Sequence, residues 1–146
     1  MRTERSDSFE QKAKEMAENA HRGQIDKSGK AYIFHPIRVS QMGKTEEERI
    51  VGLLHDVVED TDLTLQDLKD VDFSQEIVEA VDAITKRKGE TRVDYLTRVK
   101  ANKLARAVKI YDIEDNASPI RLNSLSGEVQ ERLQNKYDFA KHFLKN

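Results

Sequence analysis

Apolar residues recur every three or four positions along most of this chain, which is the spacing that places them on one face of an α-helix. Convincing alternation of apolar and polar residues, the mark of a half-buried strand, is absent from the sequence. Residues able to cap helices precede the apolar runs: Ser6 to Ser8, Thr45 with Glu48, Thr64 with Asp67, and Ser74. The pattern therefore predicts an all-α bundle of about seven or eight helices.

Prolines, glycines and caps set the predicted boundaries of these helices. Residues 22–32, which contain two glycines, are predicted to form a loop. Pro36 suits the first position of a helix, so His35 should cap or immediately precede a short one. The helix that opens at Thr45 should continue through Val57. Further helices are predicted to open at Thr64 and Ser74, to span about 92–100 and 104–116, and to follow Gly127.

Length and composition narrow the class of protein. A chain of 146 residues fits one domain, spanning residues 1–146. The formal net charge is −2, so no overall basic field recruits nucleic acid. The lack of cysteine excludes disulfides, thiolate zinc sites and cysteine nucleophiles, and no stretch is long and apolar enough to cross a bilayer. We expect a cytoplasmic protein that binds a small molecule; the sequence leaves its oligomeric state open.

Four ionisable residues stand close together in an otherwise apolar segment, His55-Asp56-Val57-Val58-Glu59-Asp60. On one continuous helix, His55 would lie beside Glu59 and Asp56 beside Asp60, because residues four apart share a face. Such groups are costly to remove from water unless something compensates their charge. A divalent cation is the obvious compensation, and it would make the segment a reaction centre.

Two further residues could complete a metal site: His35 at a helix entrance and Asp112 after an apolar run. Two imidazoles and two carboxylates suit six-coordinate Mn²⁺, Fe²⁺ or Mg²⁺ better than a closed zinc site, and they leave positions for water and substrate. Plainer readings stay open at this point. A lone His-Asp pair is weak evidence, Asp112 could form a surface salt bridge with Lys109, and His35 could simply begin a helix before Pro36.

The chain resembles the HD superfamily of metal-dependent phosphohydrolases. More narrowly, it is similar to the hydrolase domain of the RelA/SpoT type and to small stand-alone alarmone hydrolases. The matching segments appear in family order and span most of residues 9–120. They are His21 to Gln24, Lys27 to Gly29, Tyr32 to Pro36, Leu53 to Thr61, Thr85-Lys86, and Val108 to Asp112 with Asn116.

This resemblance implies an all-α HD-type fold, a metal site and a reaction. The family's metal ligands, which usually hold Mn²⁺, match His35, His55, Asp56 and Asp112. Glu59 and Asp60 match the acidic pair that orients or deprotonates the attacking water and assists the leaving group. The implied reaction is hydrolysis of a phosphate ester, typically removal of the 3′-pyrophosphate from guanosine tetraphosphate or pentaphosphate.

The resemblance also implies a nucleotide pocket. Asn116 matches a residue near the substrate ribose, and Lys27 with Ser28 lies in the loop that lines the pocket. Lys109, together with Lys27 and Lys86, could neutralise the charge of phosphate groups that are not transferred. The plainer alternative for each lysine is a solvated side chain.

Two departures from the family pattern concern the substrate. Alarmone hydrolases of this type usually carry an arginine, able to stack on guanine, where this chain has Asp26. The family's Arg-Leu-His-Asn after the last ligand becomes Ile113-Glu114-Asp115-Asn116. We expect both changes to place acidic residues where an anionic substrate would bind. The chain ends after the hydrolase region, so a small stand-alone protein is expected.

Three functions therefore compete. The first is hydrolysis of a nucleotide by an HD-type phosphohydrolase, with an alarmone as the first substrate to test. The second is a 5′-nucleotidase acting on nucleoside monophosphates, which would use the same metal site with a different pocket. The third is a nucleotide-binding module without turnover, against which the intact Glu59-Asp60 pair argues.

Overall fold

The computed structural model describes residues 4–123 and 125–146, and it confirms the all-α prediction. Within these residues the chain forms ten helical segments, of which eight are longer than a single four-residue turn. In the same ranges, strand-type pairing is confined to one isolated bridge between Ile25 and Ala31. In chain order the helices are α1 (Glu4–Ala20), α2 (Phe34–Gln41), α3 (Glu46–Leu54), α4 (Val57–Asp60), α5 (Leu65–Asp70), α6 (Gln75–Ile84), α7 (Arg92–Ala101), α8 (Lys103–Asn116), α9 (Pro119–Leu122) and α10 (Gly127–Lys145).

Three of the predicted helix caps are confirmed. The side chains of Thr45, Thr64 and Ser74 each accept a hydrogen bond from the backbone N–H three residues further on, which satisfies a donor that the first turn leaves unpaired. The cap predicted at Ser6 to Ser8 is wrong, because α1 begins at Glu4 and those residues fall within its first turns. Local hydrogen bonding therefore sets these three helix starts.

His35 lies inside a helix, and the prediction that it caps or precedes one is wrong. α2 begins at Phe34, so His35 is its second residue and Pro36 its third. The first four N–H groups of a helix have no partner within it, so a proline at the third position costs no hydrogen bond. The His35 side chain is therefore presented by a regular helix, and it is buried.

The helix predicted to run through Val57 is interrupted just before that residue. α3 ends at Leu54, His55 and Asp56 form a turn, and α4 begins at Val57. Nδ1 of His55 lies 2.6 Å from the backbone oxygen of Gly52. This hydrogen bond competes with the ordinary helical pairing of that carbonyl with the N–H four residues further on. The turn separates the His-Asp pair from the Glu-Asp pair, so the two pairs do not share one continuous helix.

α3 and α8 are the central helices of the fold. α3 packs against α1, α2, α6 and α8, and α8 also packs against α7 and α10. Five consecutive residues of α3, from Ile50 to Leu54, are buried, so this helix is apolar on every side in its second half. α3 has nine residues, and no helix in the described ranges combines the length and apolar character needed to cross a bilayer.

Gly52 allows α3 to approach α2 closely. A Cβ at this position would lie 2.9 Å from Cα of Ser40 and 3.0 Å from its backbone nitrogen, and neither atom can rotate away. We expect Gly52→Ala to lower the free energy of unfolding by about 1–3 kcal/mol, the usual cost of overpacking, as measured by urea denaturation. Gly127→Ala is the control, since nothing lies within 4 Å of its Cβ position. Equal stability of both variants would show that the close approach does not require glycine.

Candidate functional site

Three segments of the chain bring the four predicted metal ligands together. Nε2 of His35, from α2, lies 2.8 Å from Oδ1 of Asp112, from α8. Nε2 of His55, from the turn after α3, lies 3.4 Å from the same oxygen and 3.1 Å from Oδ2 of Asp56. Ligand atoms of His35, His55 and Asp56 all lie within 4.8 Å of one another. The result is a compact set of two imidazoles and two carboxylates.

Both imidazole rings are fixed through the nitrogen that points away from this cluster. Nδ1 of His55 is held by the Gly52 carbonyl at 2.6 Å, and Nδ1 of His35 lies 2.6 Å from Oδ2 of Asp115. Metal-binding histidines are usually held in this way, because an acceptor on one nitrogen fixes the tautomer that offers the lone pair of the other. Both Nε2 atoms are therefore directed toward Asp112.

One atom of the cluster fits a cation particularly well. Nε2 of His55 is buried and has no well-aligned hydrogen-bond partner among the described residues, although Asp56 Oδ2 is nearby. A buried polar atom left unpaired costs free energy, and coordination of a divalent ion would recover it. The chemistry of the donor set agrees, since imidazole and carboxylate together suit first-row divalent metals.

The charges of the cluster are strongly coupled. Burial by itself would raise the pKa of Asp56, but the adjacent His55 outweighs it and lowers that pKa to about 2. Burial would also raise the pKa of Asp112, and the Lys109 ammonium outweighs it in the same way. The pKa of His55 is raised, because Asp56 and Asp112 overcome the effect of its burial. The carboxylates therefore favour positive charge here, which a proton or a cation can supply.

Asp115 supports His35 from behind and was not assigned this position by the sequence. Its carboxylate is buried and pairs with Arg38, whose Nε lies 2.7 Å from Oδ1, and with Arg121, whose Nη1 lies 3.0 Å from Oδ2. The expectation that Asp115 adds negative charge where a substrate is held is wrong, because two arginines and His35 surround that charge. The sequence did contain one sign of this position: Asp115 follows Asp112 by three residues, so both lie on the same face of α8.

Glu114 does not bring charge to the cluster either. Its side chain is exposed, and Oε2 lies 4.0 Å from Nζ of Lys141.

Asp26 folds its own loop. Its Oδ1 accepts hydrogen bonds from the backbone N–H of Ser28 at 2.9 Å, from the Ser28 hydroxyl at 2.8 Å and from the backbone N–H of Lys30 at 3.0 Å. Oδ2 lies 3.9 Å from Nη2 of Arg121. The carboxylate is thus turned into the loop that carries Lys27, and the nearby Arg121 guanidinium reduces the expected repulsion of phosphate by Asp26. Sequence spacing alone gave no sign of the contact with Arg121.

Tyr32 and His21 enclose the cluster on the loop side, and neither was assigned a role from the sequence. The Tyr32 hydroxyl donates a hydrogen bond to Oδ2 of Asp56. Its ring centroid lies 5.6 Å from that of His35 and 5.0 Å from that of His21. His21 is buried, which lowers its pKa, and its Nδ1 lies 2.9 Å from Oε1 of Gln24. Tyr32 thus lies between His21, on one side of the loop in sequence, and His35, on the other.

Glu59 and Asp60, the predicted acidic pair, lie on the single turn α4. Oε1 of Glu59 accepts a hydrogen bond from the backbone N–H of Lys86 at 2.9 Å, which anchors its carboxylate. Burial, with Asp56 and Glu59 nearby, raises the pKa of Asp60 to about 6. Asp60 lies close to the cluster although it belongs to a separate helical turn.

Two adjoining cavities border the cluster. The larger one, of about 440 Å³, is bordered by the loop at Ile25 to Ser28, by Asp60 and by apolar residues including Leu122 and Leu133. The smaller one, of about 260 Å³, is bordered by Ile84, Lys86 and Arg92. Seven residues line both: Asp56, Glu59, Lys109, Asp112, Asn116, Lys136 and Tyr137. The candidate metal cluster and Glu59 therefore lie at the junction between two spaces.

The predicted substrate-binding residues Lys27, Ser28, Lys109 and Asn116 all line the larger cavity. Asn116 donates a hydrogen bond to Oδ1 of Asp112 at 3.0 Å. Nζ of Lys109 lies 2.9 Å from Oδ2 of the same residue, and both side chains are largely buried, so this is not the surface salt bridge considered above. The Lys109 ammonium neutralises part of the charge of Asp112 at Oδ2, whereas His35 and Asn116 contact Oδ1.

Comparisons with known proteins show which family the chain resembles. A family profile described as HD domain matches residues 13–111. The chain is 42% identical over 88 residues to a guanosine-3′,5′-bis(diphosphate) 3′-pyrophosphohydrolase of Borreliella burgdorferi, which covers 55% of this chain and 13% of that protein. It is 32% identical over 127 residues to a probable GTP pyrophosphokinase of Mycobacterium leprae. That alignment covers 78% of this chain and 16% of the M. leprae protein. The chain therefore spans less than a fifth of the length of these relatives.

A solved structure is similar over nearly the whole chain. It is described as a metazoan ortholog of SpoT that hydrolyzes ppGpp and plays a role in starvation responses. The similarity has a TM-score of 0.78 at 25% sequence identity, and it covers 95% of this chain and 86% of the other.

Proposed function

This chain belongs to the HD domain family, and from that premise we propose that it is a metal-dependent phosphohydrolase that removes the 3′-pyrophosphate of guanosine tetraphosphate or pentaphosphate. The observation that carries the proposal is the convergence of two imidazole Nε2 atoms and two carboxylates beside Glu59, where the two cavities meet. The names of the pyrophosphohydrolase relatives and of the similar structure support the choice of substrate.

In this proposal His35, His55, Asp56 and Asp112 hold the metal. The donor set suits Mn²⁺, Fe²⁺ or Mg²⁺, and we propose Mn²⁺ because the resemblance to the HD superfamily implies it. When bound, such an ion polarises a phosphoryl oxygen and lowers the pKa of water. The surrounding residues keep the ligands in position. Asp115 orients the ring of His35, the Gly52 carbonyl orients that of His55, and Tyr32 holds the carboxylate of Asp56.

Glu59 takes the proton of the attacking water. Its Oε1 is anchored by the backbone of Lys86, which leaves Oε2 to accept from the water. The water oxygen forms a bond to the phosphorus next to the ribose, and the bond from that phosphorus to the 3′ oxygen breaks. Asp60, which borders the larger cavity, lies on the side from which the leaving ribose oxygen can receive a proton.

The larger cavity takes the nucleoside. Its apolar residues suit a base and a sugar ring, and Asn116 suits the ribose hydroxyl groups. Because Asp26 is used to fold its loop, we assign it no contact with guanine, and Lys27 is the residue of this loop that meets phosphate.

A comparison of products tests the proposal. Protein loaded with Mn²⁺ should release pyrophosphate from guanosine tetraphosphate, as measured by separate assays for pyrophosphate and orthophosphate. If the protein releases orthophosphate from nucleoside monophosphates but no pyrophosphate from guanosine tetraphosphate, the result would support a 5′-nucleotidase and overturn the proposal. Thermal stabilisation by guanosine tetraphosphate without any product would support a binding module instead.

A further inference from the structure

Side chains of α7 bind the carboxyl end of α6. A helix leaves its last carbonyl oxygens without partners inside the helix. Here the backbone oxygen of Ala83 accepts a hydrogen bond from Nε of Arg98 at 3.1 Å, and that of Thr85 accepts one from Nη2 of the same residue at 3.0 Å. The oxygen of Ile84, between them, accepts one from the Tyr95 hydroxyl at 2.7 Å. Three consecutive carbonyls are therefore bound by two side chains that lie one turn apart on α7.

Arg98 also binds the far end of the turn that follows α6. Its guanidinium forms an ion pair with Glu90, and Nη2 lies 3.1 Å from Oε1 of that carboxylate. The same Oε1 accepts a hydrogen bond from the backbone N–H of Arg87 at 3.0 Å. One guanidinium thus holds both ends of the segment 85–90.

This segment carries the donor that anchors Glu59. The backbone N–H of Lys86 donates to Oε1 of Glu59 at 2.9 Å. That N–H belongs to the same peptide unit as the carbonyl of Thr85, and a peptide unit is planar. Arg98 and Glu59 therefore bind the two ends of one rigid group. The position of Arg98 sets the direction in which the Lys86 N–H points.

The contact with Arg98 also strengthens this donor. A cation on the oxygen of a peptide polarises the unit, and hydrogen bonds in such a chain reinforce one another. Arg87 makes a second contact with the Thr85 oxygen, at 2.8 Å from its Nη1. Its side chain is 43% exposed, however, whereas that of Arg98 is 27% exposed and is held by four hydrogen-bond contacts. Arg98 is the better fixed of the two.

We propose that Arg98 is a positioning residue for Glu59, which holds the Thr85–Lys86 peptide so that the Lys86 N–H binds Oε1 and Oε2 is directed to the attacking water. The inference rests on the proposed function for the role of Glu59, and it deepens that function by assigning part of the reaction geometry to α7. Arg98 itself borders neither of the two cavities at the cluster, so it acts through the peptide and not on the substrate.

Amide hydrogen exchange, measured by NMR, tests the positioning without any substrate. Arg98→Met keeps an apolar stem of similar length but cannot donate. Exchange of the Lys86 N–H should become faster by about tenfold, the loss expected for a hydrogen bond that involves a charged group. The buried amide of Val108, on α8, reports opening of the whole fold and provides the reference rate. An unchanged rate at Lys86 relative to Val108 would overturn the proposal.

Two further variants keep this test specific. Arg49→Met is the matched control, because Nε of Arg49 lies 3.2 Å from Oε1 of Glu10 in an ion pair that involves neither α6 nor α7. It should leave the Lys86 N–H as in wild type, and equal acceleration in both variants would overturn the proposal. Arg98→Lys keeps the charge but lacks the planar fork, so it should accelerate exchange in the same direction even where Arg98→Met does not fold.

Turnover gives a readout that a purely structural role would not move. With Mn²⁺-loaded protein and guanosine tetraphosphate, Arg98→Met should lower kcat by about tenfold, because a small displacement of a reacting group is costly, and should leave KM and the manganese content unchanged. In a Glu59→Gln background the same change should lower kcat less than about twofold, since no proton acceptor remains to be positioned. Equal losses in both backgrounds would overturn the positioning role.

The exchange experiment also separates this inference from the proposed function. If wild type releases no pyrophosphate from guanosine tetraphosphate, the proposed reaction fails, while faster exchange at Lys86 in Arg98→Met still supports Arg98 as the residue that positions this N–H. If wild type performs the reaction and Arg98→Met keeps both the wild-type kcat and the wild-type exchange rate, the positioning role is overturned and the proposed function stands.

Discussion

Replacing Glu59 by glutamine should remove most of the turnover and leave the metal in place. The amide keeps an oxygen for the backbone N–H of Lys86, so the side chain can stay anchored, but it cannot accept a proton from water at neutral pH. General-base catalysis typically contributes a factor of about 10²–10⁴, and we expect kcat with guanosine tetraphosphate to fall by that amount. Elemental analysis should find the manganese content of wild type.

Glu79→Gln is the matched control for this substitution. Glu79 is an exposed residue of α6 that borders neither of the two cavities at the cluster, so kcat should not change. Wild-type turnover in Glu59→Gln would exclude Glu59 from proton transfer. Loss of manganese together with turnover would instead make it a support of the ion.

Replacing Asp112 by alanine should have two large effects with different causes. Oδ1 of Asp112 approaches Nε2 of both His35 and His55, so its loss should bring the manganese content close to zero. Oδ2 pairs with the largely buried Lys109, so the same change leaves a buried cation without its partner. Breaking a buried ion pair on one side costs about 3–5 kcal/mol, and urea denaturation of the metal-free proteins should show a loss of that size.

A second substitution separates these two effects. In the double variant Asp112→Ala with Lys109→Met, the buried cation is removed, so most of the lost stability should return. The manganese should not return, because the carboxylate is still missing. Full manganese in Asp112→Ala would show that this residue is no ligand, and unrecovered stability in the double variant would place the cost outside the Lys109 pair.

The helical part of this fold was predictable because its signals are local. Caps such as Thr45 and Ser74 bond to residues three positions away, and apolar spacing defines a helical face without reference to the rest of the chain. The resemblance to the HD superfamily is likewise confirmed by the match over residues 13–111. The roles of the individual site residues stay predictions.

Features that depend on contacts between distant segments were not predictable. The position of His55 beside His35 and Asp112 depends on α2 and α8, which are distant from the turn in the sequence. Likewise, Asp26 and Asp115 looked like acidic substitutions because Arg121, which pairs with both, lies far from Asp26 in sequence. A charge can be read from a sequence, but the partner that compensates it requires the tertiary structure.

The position of the cluster also has a consequence for folding. His35 and Asp112 are 77 residues apart in the chain, and the turn at His55 lies between them. An ion bound by all three segments would act as a non-covalent cross-link that closes two long loops, and it would bind only the folded chain. Metal loading and folding would then be one linked equilibrium, in which the folded fraction rises with the concentration of free metal.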